Sequence, residues 1–138
     1  MTPSDAPSVG QLNEQLGYPM PEANVIKRIQ TVLSQPESAA FVAEVDGAVV
    51  GWIHIYVAHI IEAENSYVEI GGLVVDETQR GQGIGTALVK AAERWTIENG
   101  FCDIRVRSAI KRVEAREFYE KRGFHVVKTQ LRFEKKLN

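Results

Sequence analysis

From residue 80 to residue 86 the chain reads Arg80-Gly81-Gln82-Gly83-Ile84-Gly85-Thr86, with glycine at every second position. Glycine surrenders more backbone freedom on folding than any other residue, so three at this spacing need a reason. The run lies between a strand-like stretch, Tyr67 to Val75, and a helix-like one, Gly83 to Asn99. Ile84, Ala87, Leu88, Ala91 and Trp95 recur there at helical spacing, and Gly100 supplies the stop. A helix start leaves its first amide N–H groups unpaired at the positive end of the helix dipole. With no β-carbons in the way, such a turn can cradle a diphosphate. Two common phosphate loops do not fit. A Walker A loop would end in Gly-Lys-Ser/Thr, whereas Gly85 precedes Thr86-Ala87. A dinucleotide fingerprint needs glycine where Thr86 stands and a turn directly after the strand, but Asp76 to Gln79 intervene.

The flanking pattern predicts an α/β fold. Val9, Leu12 and Leu16 mark a first helix, with Ser4-Asp5 as its cap and Gly17 as its end. Pro21 opens a second, striped by Val25, Ile26, Ile29, Val32 and Leu33 and closed by Gln35-Pro36. Phe41 to Val45 and Ala48 to Ala58 form a hairpin across Asp46-Gly47. Gly71-Gly72 inside the third strand signals a bulge or a close backbone approach. Ile104, Val106 and Ser108 alternate with Arg105 and Arg107, so Asp103 to Ser108 is a strand parallel to Tyr67–Val75 across a right-handed crossover. A short helix, Glu114 to Arg122, ends at Gly123, and His125 to Leu137 returns as one or two strands with Leu131 and Phe133 facing the core. The expected architecture is one domain over residues 1–138: a mixed central sheet with helices on both faces.

Composition narrows the function classes. At 138 residues, 44% hydrophobic and 25% charged, the chain is an ordinary globular sequence. No stretch reads as membrane-spanning and no signal peptide is visible. Cys102 is the only cysteine, which excludes an intrachain disulfide and favours a cytoplasmic setting. Charge is uneven. Residues 1–99 hold 5 Lys/Arg and 13 Asp/Glu, and residues 100–138 hold 11 and 5. Such asymmetry suits an anionic partner at one end and a cationic one at the other, or simply two solvated faces. Neither a nucleic-acid recognition motif nor a metal-ligand spacing appears; His59 and His125 have no partners for one.

The glycine turn resembles motif A of the GCN5-related N-acetyltransferase (GNAT) superfamily, Q/R-x-x-G-x-G/A, with Arg80, Gly83 and Gly85 in its fixed positions. Glu69-Ile70-Gly71-Gly72-Leu73-Val74-Val75-Asp76 resembles the strand that precedes it. Ala115-Arg116-Glu117-Phe118-Tyr119-Glu120-Lys121-Arg122-Gly123-Phe124 resembles motif B, A-x-x-F-Y-x-x-x-G-F. The resemblance spans residues 39–136. It departs in two places: Arg112 stands where the family has asparagine, and no strand precedes the first helix.

The resemblance implies transfer of an acetyl group from acetyl-coenzyme A to a primary amine, on a small molecule or a peptide, through a tetrahedral intermediate. It implies a diphosphate site at Arg80, Gly81, Gln82, Gly83, Ile84, Gly85 and Thr86. Pantetheine would pair with Leu73, Val74 and Val75 like an added strand, a backbone N–H of Leu73 or Val74 would face the oxyanion, and the basic C-terminal third would favour the 3′-phosphate, with Arg112, Lys111 and Arg116 nearest in sequence. Dimers are common in the family. The chemistry asks for a base, since amines are protonated at neutral pH, and for a proton on the leaving sulfur. Glu69 is the candidate base, eleven residues before Arg80, with an ion pair to Arg105 or Arg107 as its other reading. Tyr119 is the candidate acid, pointing about 100° away from Phe118 around its helix. His54, between Trp52 and Tyr56 on one strand face, reads as a core residue, as does Cys102. A second function class is a coenzyme A-binding sensor or interaction module without catalysis. Thiol release from acetyl-coenzyme A separates the two.

Overall fold

A computed structural model describes every residue from Met1 to Asn138. The chain divides into two compact units, Met1–Arg107 and Ser108–Asn138. In the first, α1 (Ala6–Leu16) and α2 (Glu22–Ser34) precede strands β1 (Ser38–Val45), β2 (Ala48–Ala58) and β3 (Tyr67–Val75); α3 (Ile84–Glu98) then leads to β4 (Ile104–Val106). The sheet order is β1-β2-β3-β4. The first two pairings are antiparallel, and β3 with β4 is parallel.

Local chemistry accounts for the element ends. Gly17 takes the left-handed conformation that closes α1 (φ 96°). Asp46 (φ 51°) and Gly47 (φ 80°) supply the two positive φ angles of a tight hairpin turn. The predicted Ser4-Asp5 cap of α1 is corrected. Asp5 instead accepts from the Thr2 N–H at 2.7 Å, closing a short 3₁₀ turn ahead of the helix.

Alternation along β2 sends its residues to two layers. Trp52 packs against Ala6, Val9, Val25 and Ile29 of α1 and α2. Gly51 meets Leu88 and Ile84 of α3 on the other face. Helices therefore cover both faces, as expected. Ile53, Ile55, Val68 and Val89 are almost fully buried between them, each contributing about 1.5–3 kcal/mol of burial.

The α3 stripe is shifted from the sequence expectation. Its buried residues are Gly85, Leu88, Val89, Ala92 and Thr96. Ile84, Ala87 and Ala91 line a hollow of ≈ 420 Å³ shared with Phe41 to Val45 of the edge strand β1. The hollow stands between that flank of the helix and the edge strand, which leaves Ile84, Ala87 and Ala91 only partly covered or exposed.

The second unit contains α4 (Val113–Glu120), and Gly123 (φ 88°) follows it. The strands expected over His125 to Leu137 are absent, and Leu131 and Phe133 are 82% and 87% exposed instead of facing a core. Alternating residues give a segment the capacity to be a strand. A strand also needs hydrogen-bonded neighbours, and this unit offers none. Cys102, expected to be buried, is exposed in the loop before β4. No helix of the chain is long and apolar enough to cross a membrane.

Candidate active site

The bulge expected at Gly71-Gly72 is present. His54 pairs with Gly72 and Ile55 with Ile70, so Gly71 is the extra residue of β3. Both glycines answer to aromatic neighbours. A Cβ on Gly72 would lie 2.7 Å from the Trp52 ring, and one on Gly71 would lie 2.9 Å from His54 Nδ1. The parallel pairing of β3 with β4 ends at Ile70 and Val106, immediately before the bulge. Beyond it, Leu73, Val74 and Val75 have a partner only on the β2 side, and the strands are splayed as expected.

The end of this free edge leads directly to the glycine turn. The Asp76 N–H donates to Val50 on β2 at 2.7 Å, so the preceding carbonyl, Val75, points the opposite way. Arg80 Nε donates to that carbonyl at 3.1 Å. Gly81 and Gly83 both have φ 82°, and nothing lies within 4 Å of where their β-carbons would be. Their N–H groups, with those of Gln82, Ile84 and Gly85, donate to no other backbone group. Gly85 differs. It is buried in the first turn of α3. Thr86 follows in the first turn. A diphosphate fits this cradle of open amides at the positive end of a 15-residue helix.

Glu69 sits on β3 opposite Tyr56 on β2 and Arg105 on β4, with only 4% of its surface exposed. Its Oε1 lies 3.4 Å from Arg107 Nε. Burial pushes the carboxyl above its ordinary range, and Arg107 and then Arg105 pull it back only in part. Arg105 is itself engaged: it pairs with Asp103 at 2.8 Å and lies 3.7 Å above the Tyr67 ring. Burial, then the Glu69 charge, raises the Tyr56 hydroxyl.

Sequence reasoning read His54 as a core residue and assigned nothing to Trp52 or Asn13. Trp52 Nε1 is buried without a partner, and Asn13 Oδ1 on α1 is another such orphan. His54 touches Tyr56, ring centroids 5.8 Å apart, and makes no hydrogen bond. Gly71-Gly72 was the available signal, since paired glycines opposite aromatic residues imply rings lying over the backbone. Nearby, His59 hydrogen-bonds Glu37 and Ser66, tying the loop between β2 and β3 to the start of β1.

Tyr119 and Arg112 belong to the second unit. Tyr119 packs edge-on against Phe118 at 5.2 Å and Phe124 at 5.4 Å. Burial raises its hydroxyl above the ordinary range and the Arg112 charge lowers it in part, so the phenol stays protonated at neutral pH. Arg112 occupies the N-cap of α4 and its N–H donates to the Ala109 carbonyl. The structure thus gathers Glu69, Leu73–Val75 and Arg80–Thr86 in the first unit, with Tyr119 and Arg112 on the second.

Comparison with known proteins bears on the family and the fold. The sequence model of the acetyltransferase (GNAT) family matches residues 10–124. An uncharacterised N-acetyltransferase of Methanocaldococcus jannaschii is 34% identical over 110 residues, covering 77% of this chain and 49% of that protein. The chain thus spans about half the length of that relative. Aminoglycoside N(6′)-acetyltransferase type 1 of Stenotrophomonas maltophilia is 29% identical over 127 residues, covering 89% of this chain and 82% of that one. Among solved structures, an aminoglycoside N-acetyltransferase, AAC(6′)-Iy, in complex with coenzyme A superposes with a TM-score of 0.87. That match covers 99% of this chain and 92% of the other at 18% identity, a likeness of fold.

Proposed function

The chain belongs to the acetyltransferase (GNAT) family, and from that membership we propose that residues 1–138 form one domain that transfers an acetyl group from acetyl-coenzyme A to a primary amine. One observation carries the reading. Unpaired amides at Gly81–Gly85 stand at the start of α3, in line with the free edge of β3. The first feature suits a diphosphate. The second suits an extended amide-bearing arm that ends near Glu69. Leu73 to Val75 hold that arm as an added strand, and the Leu73 N–H meets the developing oxyanion; the Val74 N–H, two residues before that of Asp76, turns to β2 instead.

The reaction joins the amine nitrogen to the thioester carbon and expels sulfur with its electron pair. The ammonium form of the acceptor must shed two protons in all, and the sulfur must gain one. Glu69 is assigned to the amine side, where its raised carboxyl is the stronger base once ionised. Tyr119, protonated at neutral pH, is assigned to the sulfur. The acceptor class is a small molecule or peptide amine, and the Stenotrophomonas relative makes aminoglycosides the first to try.

Calorimetry with acetyl-coenzyme A, followed by thiol release across a panel of aminoglycosides, polyamines and peptides, tests the reading. Tyr119→Phe is expected to lower turnover about 100-fold while affinity for acetyl-coenzyme A holds. Tight binding with no thiol release from any amine would instead favour a sensor.

A further inference from the structure

We propose that His54 takes the first proton from the acceptor's ammonium group, leaving Glu69 to deal with the second. The inference rests on the N-acetyltransferase reading above and deepens it.

His54 lies on the β2 face that also carries Trp52 and Tyr56, opposite Gly72, with its ring laid against the Gly71 bulge. The bulge is where the free edge of β3 begins, so the imidazole stands beside the segment assigned to the thioester. Neither ring nitrogen has a hydrogen-bond partner, although the residue is half-buried. The buried side-chain atoms without a partner are Asn13 Oδ1 and Trp52 Nε1, so the His54 nitrogens reach the surface, where an incoming ammonium group can meet them. Glu69, by contrast, is almost fully buried and has one oxygen facing Arg107. Of the two bases, only His54 is without a competing partner.

Its surroundings keep the imidazole neutral. Burial lowers its basicity from the ordinary 6.5. The titratable and charged groups around this face are Tyr56 on β2 itself, Tyr67 and Glu69 on β3, and Arg105 and Arg107 at the β4 edge, where Arg107 faces Glu69 and Arg105 pairs with Asp103. The buried residues of α1 and α2 (Ala6, Val9, Leu12, Val25 and Ile29) carry no charge. A free imidazole lone pair is therefore available at neutral pH.

The protons balance as follows. A ring nitrogen of His54 takes one proton from R–NH₃⁺, and the freed lone pair forms the C–N bond. The carbonyl electrons move to oxygen. When they return, the C–S bond breaks and sulfur leaves with its electron pair, taking a proton from Tyr119. The second nitrogen-bound proton departs by way of Glu69, and solvent restores the starting protonation of all three groups.

A base needed only for the first proton becomes dispensable when the acceptor is already neutral. The test compares wild type, His54→Gln and His54→Ala with two acceptors, one titrating near 10 and one near 8. With the more basic amine at neutral pH, His54→Gln is expected to lose about 100-fold in kcat/KM. With the less basic amine at mildly alkaline pH the loss shrinks to a few-fold. Added imidazole restores part of the His54→Ala turnover. A deficit equal for both amines at every pH, or no deficit at all, overturns the role of His54 while leaving the enzyme reading intact. A wild type that releases no thiol with any amine overturns both. Should either variant melt early, carbethoxylation of the wild type, mapped by mass spectrometry, decides the matter. Activity surviving full modification of His54 sinks the inference.

Discussion

At Glu69, burial raises the carboxyl and two arginines lower it, and burial prevails. The native state therefore holds this proton more tightly than the unfolded chain does. The stability this group contributes is complete below the unfolded value near 4.5 and is lost as pH rises through the higher folded value. Replacing the carboxylate by an uncharged amide of the same shape removes that loss. Glu69→Gln is expected to melt above wild type at pH 8, with the gap closing as pH falls towards 4.5, in calorimetric scans across that range. A wild type that melts higher at pH 8 would mean that the Arg107 pair outweighs burial. Turnover should move the other way, by about 100-fold, if the carboxylate works on the amine. The position of Glu69 in a strand was legible in the sequence, and so was an arginine partner. Which arginine was not, because Arg105 and Arg107 share one strand face in the alternation and Asp103 claims the first.

Among the elements, β3 explains most. Its two central glycines were readable as a bulge, and the structure adds the cause: three ringed side chains of β2 stand over them. Trp52 cannot retreat, because it packs against α1 and α2. A methyl at Gly72, 2.7 Å from its ring, should cost about 1–3 kcal/mol, a fall in Tm on the order of 5 °C. Gly10 is the control. It sits inside α1, where an added Cβ meets only Val25 at 3.6 Å, so Gly10→Ala should gain about 0.5–1 kcal/mol. Equal effects at the two sites in thermal melts would contradict the packing argument. The α3 stripe was legible only to within one residue. Periodicity finds the apolar face of a helix, but the extent of the sheet beneath decides how much of it is buried. His54 was legible only in part, for a related reason. A histidine between aromatics predicts a ring in the core, and nothing in the sequence says whether a polar partner comes with it.

At the scale of the whole molecule, charge and site are oddly matched. The unit Met1–Arg107 holds 7 Lys/Arg against 14 Asp/Glu, yet it carries the anion cradle. Within the cradle, Arg80 is the one cationic side chain, and its Nε already serves the Val75 carbonyl. The long-range field of this unit repels an anion, so attraction must come from amide dipoles at short range. The basic surplus lies in Ser108–Asn138, whose His125–Leu137 strands were over-read from alternation alone. This division makes salt a usable probe. Amide dipoles in contact with a phosphate are screened little, whereas exposed lysines and arginines lose their attraction within a Debye length. Acetyl-coenzyme A at about 100 times its Kd should stabilise the fold by about 2.7 kcal/mol, raising Tm on the order of 10 °C. Between about 0.05 and 0.5 M salt the shift should keep more than half its size, at fixed ligand concentration, if the cradle dominates. The same scan with a ligand lacking the 3′-phosphate isolates whatever the basic residues add, and only that increment should fade with salt. A shift that vanishes entirely in high salt would move the binding from the glycine turn to exposed cations.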